Sequence, residues 1–390
     1  MSSSHQPARG ASSGSGWHRL ATSPDFYLSR AGGSLRSQGA LATYTDPWEA
    51  AAALQRKRHQ YIVGAIPFDT DHPAALTVPR DVIRSDSPLE PPAAYRGSSP
   101  ASGRITREIP TPADHRAAVA AAVGTICKPG SPVEKVVLAR AVEAEFQPGL
   151  DPLRLAALLL DGSPNRDGFL ADLSPAGGAF ENQLFVGSSP EMLVRRHGQI
   201  VEAFPLAGSL PRHGATKDEA AARDFLYGSQ KNLSEHAFVV DDIVASLAPL
   251  CHDISAPARP ELMSTSEMWH LGSRITGRLR DPETTALDLA LAVHPTPAIC
   301  GTPTDAARML IDAAEPTNNR GFYAGAVGWC DSDGDGEYVV AIRCAQISAD
   351  GSAVRAWAGG GIVADSDPDD ELAETYAKFQ TIMRALGLRY

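Results

Sequence analysis

The sequence predicts an α+β fold, on three observations. Strand-like and helix-like segments are interspersed without a regular βα repeat. The acidic, glycine-bearing stretch DSDGDG at 331–336 joins two strand-like runs as a hairpin. The glycine run GGGIV at 359–363 lacks the GxGxxG spacing of a dinucleotide fold, so no parallel doubly wound sheet and no nucleotide are expected.

With 390 residues and no long uncharged apolar run, the chain is sized for one large domain or two ordinary ones and carries no membrane span. A net charge of −11 argues against a nucleic-acid partner, because phosphate binding needs a basic surface. Any anionic ligand must therefore be met by local donors. The five cysteines show no CxxC or Cys/His ligand spacing and read as reduced thiols of a cytoplasmic protein. Residues 1–22 are rich in Ser and Gly, lack the apolar core of a signal peptide, and are expected to be a disordered leader.

Along the chain, short apolar pieces at 26–28 and 61–66 predict strands, with a helix over 48–60 between them. The Pro/Ser/Ala-rich residues 84–104 read as a surface connection. A helix over 112–127 ends at a Lys-Pro-Gly-Ser-Pro turn. KVVLAR at 135–140 has the β-branched density of a buried strand, and its alternation puts Lys135 on one face with Val137 and Ala139. Apolar surroundings disfavour a charged ammonium, although a strand-end lysine also reaches solvent readily. A helix over 152–160 leads to strands near 168–173 and 184–188. SSPEML then sets Glu191 where one strand gives way to another, and FPLAGS brings Gly208 to a turn able to admit an anion to backbone N–H groups.

Helical spacing over 218–248 fits two helices or one broken helix, carrying Glu235. Residues 269–277 alternate as a strand that points His270 to one face, which is equally a structural place for a histidine. Two prolines stiffen the loop HPTPAICG at 294–301. A helix over 305–314 and strands over 322–330 and 337–347 follow. The joint between those strands carries aspartates at the first, third and fifth positions of a calcium loop, but Ile342 stands where the bidentate glutamate belongs. The terminal helix starts at Asp367-Pro368 and sets Glu371, Glu374 and Lys378 on one face, a pattern that also suits a plain solvated ion pair.

The order and wording of KVVLAR, SSPEML, FPLAGS, EHAFVVD, HPTPAICGTP, RGFYAGAVGWCDSDGDGE, VAIRCA and AGGGIV with ELAETYAKF resemble the chorismate-utilising enzymes. Within them, the isochorismate synthases of catecholate siderophore biosynthesis are the most similar. The resemblance runs from VGAIPFD at 63–69 to the terminal helix. It implies a single large catalytic domain over 23–390, with antiparallel β-sheets wrapped by α-helices, like that of anthranilate synthase component I. The activity implied is Mg²⁺-dependent, reversible conversion of chorismate to isochorismate by addition of water at C2 and loss of the C4 hydroxyl.

By this resemblance Lys135 matches the base, Glu191 the acid and His270 the active-site histidine. Glu235 and Glu374 match ligands of Mg²⁺, with Glu371, one turn earlier, an outer or water-mediated partner at the metal. Arg343 and Tyr323 are expected at the enolpyruvyl carboxylate. Gly208, Ser209, Gly359, Gly361 and Lys378 match pocket-lining positions, and Ala298 and Ile299 the ring pocket. Asn232 departs from relatives that carry an acid there. The amine-forming members usually lack lysine at the Lys135 position. Salicylate synthases keep it and go on to eliminate pyruvate, and they have tyrosine at the Tyr323 position, so they are the alternative enzyme. A calcium-binding or interaction module at 331–337 is the non-enzymatic alternative. The expected partner is the small molecule chorismate, with no nucleic acid, no membrane, and a monomeric chain.

Overall fold

A computed structural model describes residues 23–95, 102–212 and 218–390. The expected leader lies outside these, as do residues 96–101 of the expected surface connection. The paired strands are antiparallel throughout and form one long ladder. From one edge it runs Gly103–Ile109, Lys135–Phe146, Ala353–Ile362, Cys344–Ile347, Leu184–Gly187, Gly168–Asp172 and Phe26–Arg30. The hairpin from Phe26–Arg30 to Gly33–Tyr44 carries it into a second half. There it continues through Ala75–Ser85, Tyr61–Ile66, Ala326–Asp331, Gly336–Val340, Met192–His197, Ile200–Phe204, Ile275–Leu279 and Cys251–Ser255. Leu206–Pro211, Met268–Gly272 and Glu261–Ser264 make a separate small sheet.

The central strands of this sheet bury both faces, and their two-residue period sorts them. Phe26, Leu28, Phe169, Ala171, Phe185 and Trp357 join a core that draws on both halves of the ladder. Their neighbours Tyr27, Leu170, Val186 and Ala356 turn the other way, onto a second core closed by Leu155 and Leu159 of the helix Pro152–Gly162 and by the terminal helix. That terminal helix spans Pro368–Leu386. The Asp367 carboxylate accepts from the N–H groups of Asp369 and Asp370, Pro368 occupies the first turn, and Gly387 closes the end at φ 72°. Phe379, Ile382, Met383 and Leu386 are buried, each worth about 1.5–3 kcal/mol of transfer free energy. With this face fixed, Glu371, Glu374 and Lys378 point toward the small sheet and the glycine strand.

Several boundaries differ from expectation. The first helix covers Pro47–Gln55 and stops before Lys57, whose φ of 51° cannot continue a helix. The strands Gly33–Tyr44 and Ala75–Ser85 were not expected, since their polar, half-exposed residues carry little apolar signal. Arg84, Ser85, Gly103 and Arg104 belong to strands rather than to a surface connection. Residues 269–277 form parts of two strands divided at Ser273 and Arg274. Residues 322–325 are turn, and the run 337–347 is broken around Ala341–Arg343, where Arg343 takes φ 51°. The broken-helix option holds over 218–248, with helices Glu219–Gly228 and Gln230–Leu247 meeting at Ser229. The 331–336 stretch is a hairpin turn: Asp331 accepts from the N–H groups of Asp333 and Asp335, while Glu337 turns inward to Arg30.

Candidate active site

Lys135 opens the strand that pairs with Ala353–Ile362, in a register that sets Val137 opposite Gly361 and Ala139 opposite Gly359. The lysine is fully buried and does not reach solvent as a strand-end lysine would. Gly361 lies close beside it. A Cβ on Gly361 would lie 2.9 Å from Lys135 Cε and 2.3 Å from Glu235 Oε1. Glu235 comes from the helix Gln230–Leu247, which packs on the small sheet. In that sheet Ser209 pairs with His270, and Gly208 takes φ 77° against the Asn232 carbonyl. Glu191, Gly208, Ser209, Glu235, His270, Ala298, Ile299, Tyr323, Arg343, Gly359, Gly361 and Lys378 all line one cavity. Lys135, Glu371 and Glu374 stand immediately behind its wall. A wider cleft of about 570 Å³ adjoins this cavity and shares Pro190, Leu206, His270 and Arg343 with it.

Three ammonium groups meet three carboxylates behind the glycine run. Lys135 Nζ lies 3.1 Å from Glu235 Oε1, Lys378 Nζ 2.6 Å from Glu374 Oε1, and Lys231 Nζ 2.6 Å from Glu371 Oε1. The helical ion pair expected between Glu374 and Lys378 is thus formed, but inside the site rather than on a wet face. Ser209 Oγ donates to Glu374 Oε1 at 2.9 Å, and Ser366 Oγ to Glu371 Oε1 at 2.6 Å. Burial works to raise Glu374, but Lys378, Ser209 and Lys231 outweigh it and hold the carboxyl below its ordinary value. Glu371 goes the other way, pushed up to about 7 by burial and then by Glu374, against Lys231 and Ser366.

No group of three His, Cys, Asp or Glu side chains among the described residues is set to hold a cation as it stands. The donor chemistry nevertheless fits a hard divalent ion. The buried Glu371 Oε2 has no hydrogen-bond partner among the described residues. A Cβ on Gly360 would sit 3.1 Å from that oxygen and 4.0 Å from Glu374 Oε1. Glu235, Glu371 and Glu374 therefore back onto the same two glycines, and rotation away from their lysines would turn oxygen donors toward them.

Across the cavity Glu191 is 3% exposed, and its Oε1 accepts from the Leu206 N–H at 3.4 Å. Burial pushes its carboxyl up to about 7, against the opposing effects of the Leu206 N–H and of Lys135, Lys378 and Arg343. It is a carboxylic acid able to hold a proton near neutrality. Arg343 is buried, which lowers it to about 10, and its Nη2 lies 2.8 Å from His270 Nε2. Guanidinium only donates, so Nε2 accepts and the imidazole proton sits on Nδ1. Burial first, then Arg343, keeps His270 neutral and far below its ordinary pKa. Tyr323 stacks on Trp357 with centroids 5.8 Å apart and planes at 7°, and burial raises its hydroxyl pKa. Sequence reasoning missed Trp357 and Lys231; Lys231 lies four residues before Glu235, on the same helical face, which was the available signal.

An antiparallel ladder that gathers buried lysines and carboxyl groups at and behind one cavity is the architecture of an enzyme. The chain belongs to the chorismate binding enzyme family, whose sequence model matches residues 54–387. A Mycobacterium tuberculosis protein, named provisionally as isochorismate synthase MenF, is 47% identical over 365 residues, covering 94% of this chain and 96% of its own. Isochorismate synthase DhbC of Bacillus subtilis is 41% identical over 327 residues, covering 84% and 81%. A Bacillus anthracis crystal structure, described provisionally as a 2,3-dihydroxybenzoate-specific isochorismate synthase, superposes with a TM-score of 0.83 at 34% identity, covering 94% of this chain and 96% of that one. No helix among the described residues is long and apolar enough to cross a membrane.

Proposed function

We propose that the protein is an isochorismate synthase, converting chorismate reversibly to isochorismate. The observation that carries this reading is that Glu191, buried and raised toward neutrality, lines a cavity behind whose wall the buried Lys135 stands. Lys135, as the base, takes a proton from water as the water oxygen bonds to C2. The ring diene shifts, the C4–O bond breaks, and Glu191 gives its proton to the departing hydroxide, which leaves as water. Atoms and charge balance, and proton return from Lys135 to Glu191 resets the site. Arg343 and Tyr323 serve the enolpyruvyl carboxylate, with His270 fixing the guanidinium.

Glu235, Glu374 and Glu371 are the residues that would hold Mg²⁺. Bound there, the ion supplies charge neutralisation between these carboxylates and the ring carboxylate of the substrate. The siderophore destination has narrower support than the reaction: the Bacillus anthracis description favours it, while the relative of higher identity carries the MenF name.

Product analysis tests the proposal. Incubation with chorismate and Mg²⁺ should yield isochorismate, and isochorismate should return chorismate, without stoichiometric pyruvate. Salicylate and pyruvate in equal amounts would assign the salicylate synthase reaction instead.

A further inference from the structure

The acid of the site sits on the loop Ser188-Ser189-Pro190, and that loop is held by a residue outside the stretch matched by the family. Arg30 ends the strand Phe26–Arg30, ahead of the matched residues 54–387. Its Nη1 donates to the Ser189 carbonyl at 2.6 Å and its Nη2 to the Pro190 carbonyl at 3.4 Å. The same guanidinium lies 3.3 Å from Asp167 and 3.2 Å from Glu337, two buried carboxylates on other strands or their ends. Ser188 Oγ donates to the Asp167 carbonyl at 2.7 Å, tying the loop to the same cluster. On the far side, the Ser188 N–H donates to the Arg343 carbonyl, and the Val340 N–H to the Glu191 carbonyl.

We propose that Arg30 is a positioning residue for the reaction, fixing the two peptide units before Glu191 so that its carboxyl stays buried and aimed into the cavity. The proposal rests on Glu191 being the acid. Only a planar, forked cation reaches two carbonyls and two carboxylates together; an ammonium is a point charge. Asp167 and Glu337 supply the charge that keeps Arg30 in the protein, and removing Arg30 outright would leave Asp167 buried without a cation and Glu337 with Arg195 alone. Loosening the loop admits water to Glu191. Its carboxyl, faced by Lys135, Lys378, Arg343 and the Leu206 N–H, then loses the burial that raises it and moves toward the ordinary carboxylate range.

The test compares wild type, Arg30→Lys and Glu191→Gln by kcat and KM for chorismate across pH, with thermal melts of each. Arg30→Lys retains the charge and hence the fold. Its kcat should fall about 10- to 100-fold with KM within about threefold, and the alkaline limb of kcat should move to lower pH by at least half a unit. Arg30→Gln with Glu337→Gln, which removes cation and one carboxylate together, should show the same pH shift. An Arg30→Lys enzyme with wild-type kcat and an unmoved alkaline limb overturns the proposal, as does a loss of activity that follows only the loss of folded protein. Turnover retained in Glu191→Gln would instead overturn the acid assignment.

Discussion

Replacing Glu191 by Gln should separate activity from stability in opposite directions. The carboxyl is pushed from 4.5 to about 7 by burial, so folding favours its protonated form. The sign follows from linkage: a folded-state pKa above the unfolded one gives stability that is complete below about pH 4.5 and is lost as pH rises through 7. A shift of that size corresponds to about 3 kcal/mol. Gln keeps the shape and the acceptor for the Leu206 N–H but never ionises. The variant should therefore melt about 4 °C higher than wild type at pH 8, taking roughly 2 cal/mol/K of unfolding entropy per residue over 390 residues, with no such gain at pH 4.5. Its kcat should fall by about 10²–10⁴, the usual worth of a general acid. Scanning calorimetry at the two pH values and a chorismate turnover assay read both quantities. A melting difference that is the same at both pH values, or turnover within tenfold of wild type, would refute the reasoning.

Lys135→Gln should abolish turnover while the protein remains folded by circular dichroism, because the strand around it is held by ten backbone pairings to Ala353–Ile362; near-normal rates would remove Lys135 as the base. Gly361→Ala should weaken Mg²⁺ binding by calorimetry as well as turnover, since the new methyl would stand 2.3 Å from Glu235 Oε1 and must displace it; unchanged affinity would take Glu235 out of the ligand set. Asp333→Ala should leave Ca²⁺ titrations indistinguishable from wild type, as Asp333 contributes its N–H rather than its carboxylate to the turn. Saturable tight Ca²⁺ binding that the substitution removes would restore a calcium module at the hairpin.

Much of the fold was legible because its physics is local. KVVLAR announces a strand buried on both faces, and Asp367-Pro368 announces a helix start that the structure shows in place. The half-exposed strands at 33–44 and 75–85 were not, because alternating Ser, Arg and Gly gives no apolar period, and their pairing is decided by partners far away. The same division runs through the site. No local pattern made Lys135, Glu191 or His270 more than one residue among many; the ordered blocks of a family resemblance selected them, and Glu191 and His270 line one cavity with Lys135 buried behind its wall. Lys231 and Arg30 escaped because they belong to no block: each is defined by what it touches across the fold, Glu371 in one case and the Ser189 carbonyl in the other.

The pairing of Lys135–Phe146 with Ala353–Ile362 also has a consequence for biosynthesis. As the chain leaves the ribosome, the strand bearing Lys135 emerges about two hundred residues ahead of its partner, since domains assemble at synthesis rates of roughly 5–20 residues per second. For that interval an apolar strand stands with one edge unpaired, open to other chains. Nascent protein halted before Ala353 is therefore the form most exposed to aggregation and to chaperone capture, and completion of the glycine strand protects the chain in the same step that assembles its site.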